Sequence, residues 1–308
     1  MYNAIARNKR NTVIIISLFV AFFTAVSAWL SWVTDNIWVG VSVLGFICVF
    51  TLVQYFTAAR MAMGLAGGVR IDKDTHPKLW RTVENLAISE GMPMPKVYII
   101  PDDSINAMAI GRDPWHAHVG ATEGLLKITE KYELEGVMAH EMAHIKNYDT
   151  RVKVIVFGLV GAFSALAQFC WLFIFGIFGS SRGGQQRNRG AFLTVLMFPL
   201  GFVLFFIGIV AWLISAIIGP LVMNGVSRQR EYLADATGAL MTRHPEGLMS
   251  VLDKMEHFSN MPVRRNKATA AMYFGNPFRR GLFARLLSSH PPTEDRIDKL
   301  SKMSQERF

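Results

Sequence analysis

The chain has 308 residues, of which 51% are hydrophobic and 18% charged, and it carries a formal net charge of +9. Its mean hydropathy of +0.28 is too apolar for an ordinary water-soluble domain and points to a membrane protein, with the lipid bilayer as an expected partner. The positive balance then fits cationic loops rather than a nucleic-acid surface. The two cysteines, Cys48 and Cys170, both lie inside apolar runs and imply neither a disulfide framework nor a zinc finger.

Met1–Arg10 is polar, with Arg7, Lys9 and Arg10. Thr12–Val33 then runs without a charge, long enough to cross a hydrocarbon core of roughly 30 Å and too long for the apolar part of a signal peptide. After a polar break at Thr34-Asp35-Asn36, Ile37–Ala59 is again of spanning length. Trp29, Trp32 and Trp38 cluster at the turn as an interfacial aromatic belt does. Residues 1–60 therefore read as an N-terminal region with a transmembrane hairpin, about 12–33 and 37–59.

Residues 61–151 change to the composition of a water-facing domain. Pro77–Glu90 places Leu79, Val83, Leu86 and Ala87 at helical spacing. Val97–Ile100, Asn106–Ile110 and Ala117–Ala121 are short strand candidates, the last two joined by a turn at Gly111–Pro114. Glu130–Tyr148 reads as a helix with Leu134, Val137, Met138, Met142 and Ile145 on its apolar stripe. Residues 152–226 form a second hydrophobic hairpin, about 154–179 and 191–222, around a Gly/Gln/Arg loop at Ser180–Gly190. Pro199 and Pro220 are expected to bend or end its second helix. Residues 227–308 are polar and mainly helical in pattern, with loops at Met261–Lys267 and Gly275–Gly281.

Cationic residues gather beside the spans on the side of the polar domain, among them Arg7, Lys9, Arg10, Arg60, Arg70, Lys146, Arg151 and Arg228. The positive-inside rule makes that domain and both termini cytoplasmic. The other side shows only Arg182, Arg187 and Arg189, and these leave open whether the second hairpin crosses fully.

The chemistry concentrates at His140-Glu141-Met142-Ala143-His144, an H-E-x-x-H. Residues four apart share a helix face, so His140 and His144 can reach one metal ion, with Glu141 turned toward a water on it. Two imidazoles suit zinc, and the adjacent carboxylate suits a general base. The competing reading is two solvated histidines on a helix surface. A catalytic zinc takes three protein ligands and leaves one position open. The best third candidate is Glu231, in Ser227–Asp235, and Asp235 shares its helix face. Asp235 could accept the free N–H of a ligating histidine. Alone, Glu231 and Asp235 would pass for a solvated face or partners for arginines; beside an H-E-x-x-H the metal reading takes precedence.

Three rival functions can be weighed. An intramembrane protease is disfavoured because Lys131, Glu133, Glu135, Lys146 and Asp149 flank the histidines. A transporter is disfavoured because the spans hold almost no ionisable residues. A scaffold with a structural zinc has no need of the base Glu141. His76, His116, His118, His244 and His257 lack ligand spacing.

The order H-E-M-A-H, membrane hairpin, then S-R-x-x-E-Y-x-A-D resembles the HtpX family of membrane zinc metalloproteases, gluzincins related to the CaaX prenyl proteases. Asn106–Ala109, Leu125–Thr129, His144–Asn147 and Ser289–Ile297 carry the resemblance along nearly the whole chain. It implies a mainly α-helical multi-pass membrane protein with a cytosolic α+β zinc-metalloprotease domain and one Zn2+ per chain. The implied activity is ATP-independent cleavage of misfolded or damaged membrane proteins under envelope stress. Carried over by residue, His140, His144 and Glu231 match the zinc ligands, Glu141 the base and Asp235 the carboxylate behind a ligand. Asn106, Ala107, Met108 and Ala109 match a strand expected to pair with the substrate backbone. Met108 replaces the family's usual aromatic and Ile110 a common Thr, changes that would alter side-chain preference only. His290, in the H-P-P segment, matches a histidine near the oxyanion, a structural loop role being an equal reading. Arg296 either holds that segment by a salt bridge or faces solvent. Asp149 reads first as a loop residue and second as a group behind a ligand.

Overall fold

The computed structural model describes residues 2–179, 205–215, 228–257 and 291–305. Ser180–Gly190, Pro199, Pro220, the loops at Met261–Lys267 and Gly275–Gly281, and His290 lie outside the described residues.

Helix α1 (Tyr2–Val33) turns at Asp35, whose φ is +48°, into α2 (Ile37–Leu65). Asn36 caps α2 by accepting from the Trp38 N–H at 3.0 Å. The two helices close tightly because residue 40 is Gly: a Cβ there would collide with Ser31 Oγ and the Ser27 carbonyl. α2 does not end with its apolar run at Ala59 but continues through Arg60 to Leu65. Its last turns bury Ala58, Ala59, Ala62 and Met63.

A four-stranded sheet receives that end of α2. It comprises β1 (Val69–Arg70), β2 (Lys96–Ile100), β3 (Ala107–Gly111) and β4 (Ala117–Thr122), in the order β1-β2-β4-β3. β2 and β4 are parallel; β1–β2 and β3–β4 are antiparallel. The side chains alternate between two covered faces. Val97, Ile99, Ala107, Ala109, Val119 and Ala121 join a core with α3 (Pro77–Ser89) and α5 (Lys131–Lys146). Tyr98, Ile100, Met108 and Ile110 join a second core with α2 and α6 (Asp149–Gly179). A sheet covered on both faces needs apolar residues at every position, which is why β3 reads Ala-Met-Ala-Ile-Gly.

α6 begins at Asp149, before the apolar run that the sequence suggests, and its first turns carry Val152, Val154, Val156 and Phe157 into the second core. Further along, Ile155, Leu159 and Phe163 meet Phe19, Phe22 and Phe23 of α1. Ser164 and Cys170 meet Ser215 and Gly208, so the helical stretch 205–215 runs antiparallel to α6. Three helical windows, Ile16–Val33, Ile37–Leu65 and Asp149–Leu172, are long and apolar enough to cross a bilayer, and the chain is a membrane protein.

The short α4 (Glu123–Ile128) leads into α5, which α7 (Arg228–Thr242), α8 (Pro245–His257) and α9 (Thr293–Gln305) help to enclose. The helix spacing alone suggests a single apolar stripe on α5. Instead the helix is buried nearly all round from Glu133 to Ile145, both histidines included. Its first turn is tied down: Glu130 and Glu133 form a capping box. The Glu133 carboxylate also accepts from Ser250 Oγ at 2.5 Å and Lys254 Nζ at 2.8 Å, both on α8.

Candidate active site

His140 and His144 sit one turn apart on α5 and are 0% and 1% exposed. Their rings stand at 90° with centroids 4.7 Å apart, and their Nε2 atoms approach to 3.1 Å. Glu231, in the first turn of α7 and equally buried, completes the triangle. Its Oε2 lies 3.7 Å from His140 Nε2 and its Oε1 3.5 Å from His144 Nε2. One donor atom from each residue falls within 4.8 Å of the others, so the three could hold one metal ion.

Each imidazole is backed by a carboxylate, and each carboxylate by an arginine. His140 Nδ1 is 2.8 Å from Asp235 Oδ1. Asp235 in turn accepts a two-pronged bond from Arg296 of α9, Nη2 to Oδ1 at 2.6 Å and Nε to Oδ2 at 2.8 Å. His144 Nδ1 is 3.2 Å from Asp149 Oδ2, and Arg230 Nε stands 3.9 Å from Asp149 Oδ1. With Nδ1 engaged on both rings, the Nε2 lone pairs are turned toward the shared space beside Glu231.

The electrostatics invite a cation there. Burial pushes His140 below its ordinary pKa, and Asp235 opposes that without cancelling it. Burial acts the same way on His144, but the carboxylates of Glu231 and Asp149 outweigh it and raise that pKa. For Asp235, burial acts upward and the Arg296 guanidinium overcomes it, holding the carboxyl at about 2 and ionised at working pH. Glu141, between the histidines in sequence, is 2% exposed, and its Oε2 has no hydrogen-bond partner among the described residues. A buried carboxylate oxygen left in this state fits a site that receives water and a divalent ion. Two borderline imidazole nitrogens and one harder carboxylate oxygen are a set that a catalytic divalent metal accepts.

The geometry brings together five residues picked from the sequence: His140, Glu141, His144, Glu231 and Asp235. Asp149 is promoted from the loop to the start of α6, because Tyr148 adopts φ +59° and swings the chain under His144. Arg296 does not face solvent; it is 3% exposed and holds Asp235. Asn106 lies just before β3 and receives the Ala107 N–H on its Oδ1 at 3.1 Å. β3 is the outer strand of the sheet, yet Ala107, Met108, Ala109 and Ile110 are all 0% exposed. Met108 and Ile110 are core residues on the α2 and α6 side.

Residues 73–304 match the model of peptidase family M48. The chain belongs to peptidase family M48. A chain named Protease HtpX homolog from Tropheryma whipplei (strain Twist) is 43% identical, the match covering 99% of each chain. A chain of the same name from Lactobacillus helveticus (strain DPC 4571) is 38% identical over 98% of this chain and 100% of its own. The crystal structure of S. mikatae Ste24p aligns with a TM-score of 0.46 at 18% identity, over 93% of this chain and 62% of that one. Family and apolar helices together make the chain a membrane-associated protease.

One residue beside the site that spacing alone does not flag is Gly238. It continues the α7 face that bears Glu231 and Asp235, and a Cβ there would stand 2.9 Å from the His140 backbone nitrogen. Gly238→Ala must part α5 from α7 and spread the donor triangle. The expected cost is about 1–3 kcal/mol of stability, read as a lowered Tm of the detergent-solubilised protein. An unchanged Tm would mean that the two backbones do not meet there.

Proposed function

We propose that the chain is a zinc-dependent endopeptidase of the cell membrane, acting in quality control on misfolded or damaged membrane proteins under envelope stress. In this reading the protease domain and both termini face the cytoplasm. The observation that carries the catalytic part is the convergence of His140, His144 and Glu231 beside the Glu141 Oε2, which has no hydrogen-bond partner among the described residues. The relatives' name, Protease HtpX homolog, supports a protease, the resemblance to the HtpX family suggests the substrate class, and the cationic residues Arg60, Arg70 and Arg151 beside the spans support the orientation.

His140, His144 and Glu231 would hold the ion. When bound, it supplies Lewis acidity, polarising a peptide carbonyl and making water more acidic. Glu141 takes a proton from the attacking water on its free Oε2 and returns it to the leaving amine. Asp235 and Asp149 keep both imidazoles in one tautomer and orientation, while Arg296 and Arg230 hold those carboxylates in place. A substrate backbone would pair along Asn106–Ala109. Since the side chains of β3 are buried in the two cores, the strand would offer its backbone rather than its side chains. His290 enters this reading as a donor to the oxyanion.

Glu141→Gln should keep the metal and lose turnover by roughly two to four orders of magnitude, measured as cleavage of an unfolded model protein in detergent. Wild-type rates would refute the base. Fragments from neither protein, at full metal content, would favour a scaffold with a structural zinc. Asp149→Asn should weaken metal retention by roughly 10–100-fold, measured by competition with a chelator. Retention equal to wild type would remove Asp149 from the site.

A further inference from the structure

A cavity of about 230 Å³ opens where α2 meets the sheet, away from the two histidines. Its walls come from four parts of the fold: α2, the first residues of β2 and β4, the β3–β4 turn, and Val154 of α6. Lys96 and His118 are cross-strand partners, so both project to the face that α2 covers. Along that face the packing is apolar from Ile100 to Tyr98 and turns polar at Lys96 and His118, opposite Arg60 at the end of the apolar run of α2.

Three permanent cations line this space: Arg60, Lys96 and Arg112. Arg60 and Lys96 form no ion pair with any of the described residues. The nearest acid, Asp113, is 3.6 Å from Arg112 Nε and is bonded at 2.8 Å to His116 Nδ1. Among the described residues, one acid therefore stands beside three cations and two histidines, His116 and His118. His118 bonds the Tyr98 hydroxyl through Nδ1 at 3.1 Å. Burial, and then the fields of Lys96 and Arg60, push its pKa down to about 4. Burial first, and the neighbouring cations second, thus keep His118 neutral.

Its position relative to the bilayer is set by aromatic residues. The Arg112 guanidinium lies 4.8 Å over the ring of Phe56, which belongs to the spanning window of α2 and is 60% exposed. Trp115, at the tip of the β3–β4 turn, is 79% exposed and lines the same cavity. An exposed Trp and an exposed Phe beside Arg60 and Lys96, which form no ion pair among the described residues, mark headgroup depth.

We propose that this cavity binds the phosphate of an anionic phospholipid headgroup, seating the junction of α2 and the sheet on the membrane surface. Arg60, Lys96 and Arg112 contact the phosphate oxygens, while Trp115 and Phe56 lie along the first methylenes of the acyl chains. The cavity admits a headgroup and is too small for a folded partner. This assignment does not depend on the peptidase reading.

The test uses the full chain in mild detergent, given dioleoyl phosphatidylglycerol or dioleoyl phosphatidylcholine at equal concentration, with retained lipid counted by native mass spectrometry. Wild type should retain more of the anionic lipid. Lys96→Gln and Arg60→Gln should each cut that excess by roughly fivefold. Lys73→Gln and Arg81→Gln, which remove exposed cations outside the cavity, should leave it unchanged. If Arg60→Gln fails to fold, Lys96→Gln, on an exposed strand end, decides alone. Equal retention of the two lipids, or equal losses in cavity and control variants, would overturn the proposal. A rise in Tm with inorganic phosphate as large as that with the anionic lipid would assign the cavity to a soluble anion and overturn the lipid assignment.

Discussion

Two imidazoles with their Nε2 atoms 3.1 Å apart, in a place closed to water, are the constraint on which this structure turns. Lone pairs so close repel unless a shared proton or a metal cation lies between them. That charge must be balanced by carboxylates, and buried carboxylates must themselves be held. The chain meets each demand with a different element. Glu231 and Asp235 come from α7, Asp149 from α6 and Arg296 from α9, with Arg230 one residue before Glu231. The helices around α5 can be understood as the means of assembling these groups. The backbone contact at Gly238 brings α7 close enough for a short glutamate to reach both rings.

The membrane helices belong to the same arrangement. α2 and α6 do not merely anchor a separate domain; their ends cover one face of the sheet whose other face supports α5. Asp149 opens the helix that goes on toward the apolar bundle, so the orientation of His144 is coupled to how α6 is seated. The cationic cavity beside Arg60 lies at this same junction. Both the sheet and the support of one histidine therefore rest on helices whose depth the bilayer governs.

Much of this was legible in the residues. The i, i+4 spacing of His140 and His144, repeated by Glu231 and Asp235, places each pair on one helix face whatever the tertiary fold, and strand positions followed from short β-rich runs between Gly and Pro. Other features were not legible, for identifiable reasons. Composition marks where an apolar run starts but not where a helix does, so the polar first turn of α6, and Asp149 with it, looked like a loop. α5 looked amphipathic because the polar groups on its far side meet buried partners that are distant in sequence. Arg296 was ambiguous because an arginine's burial depends on which acid the fold delivers to it. The strand order and the two-residue β1 depend on long-range pairing that no local pattern records.

The central claim is that α5 and α7 together hold one metal ion through two imidazoles and a carboxylate. The most direct measurement is metal content and X-ray absorption at the zinc edge on the purified full chain, compared with Glu231→Ala. The account predicts one zinc per chain, with two histidine nitrogens and carboxylate oxygen around it, and a large loss of zinc in the variant. A wild type that binds no zinc when zinc is supplied, or a variant that keeps it with an unchanged spectrum, would contradict the account.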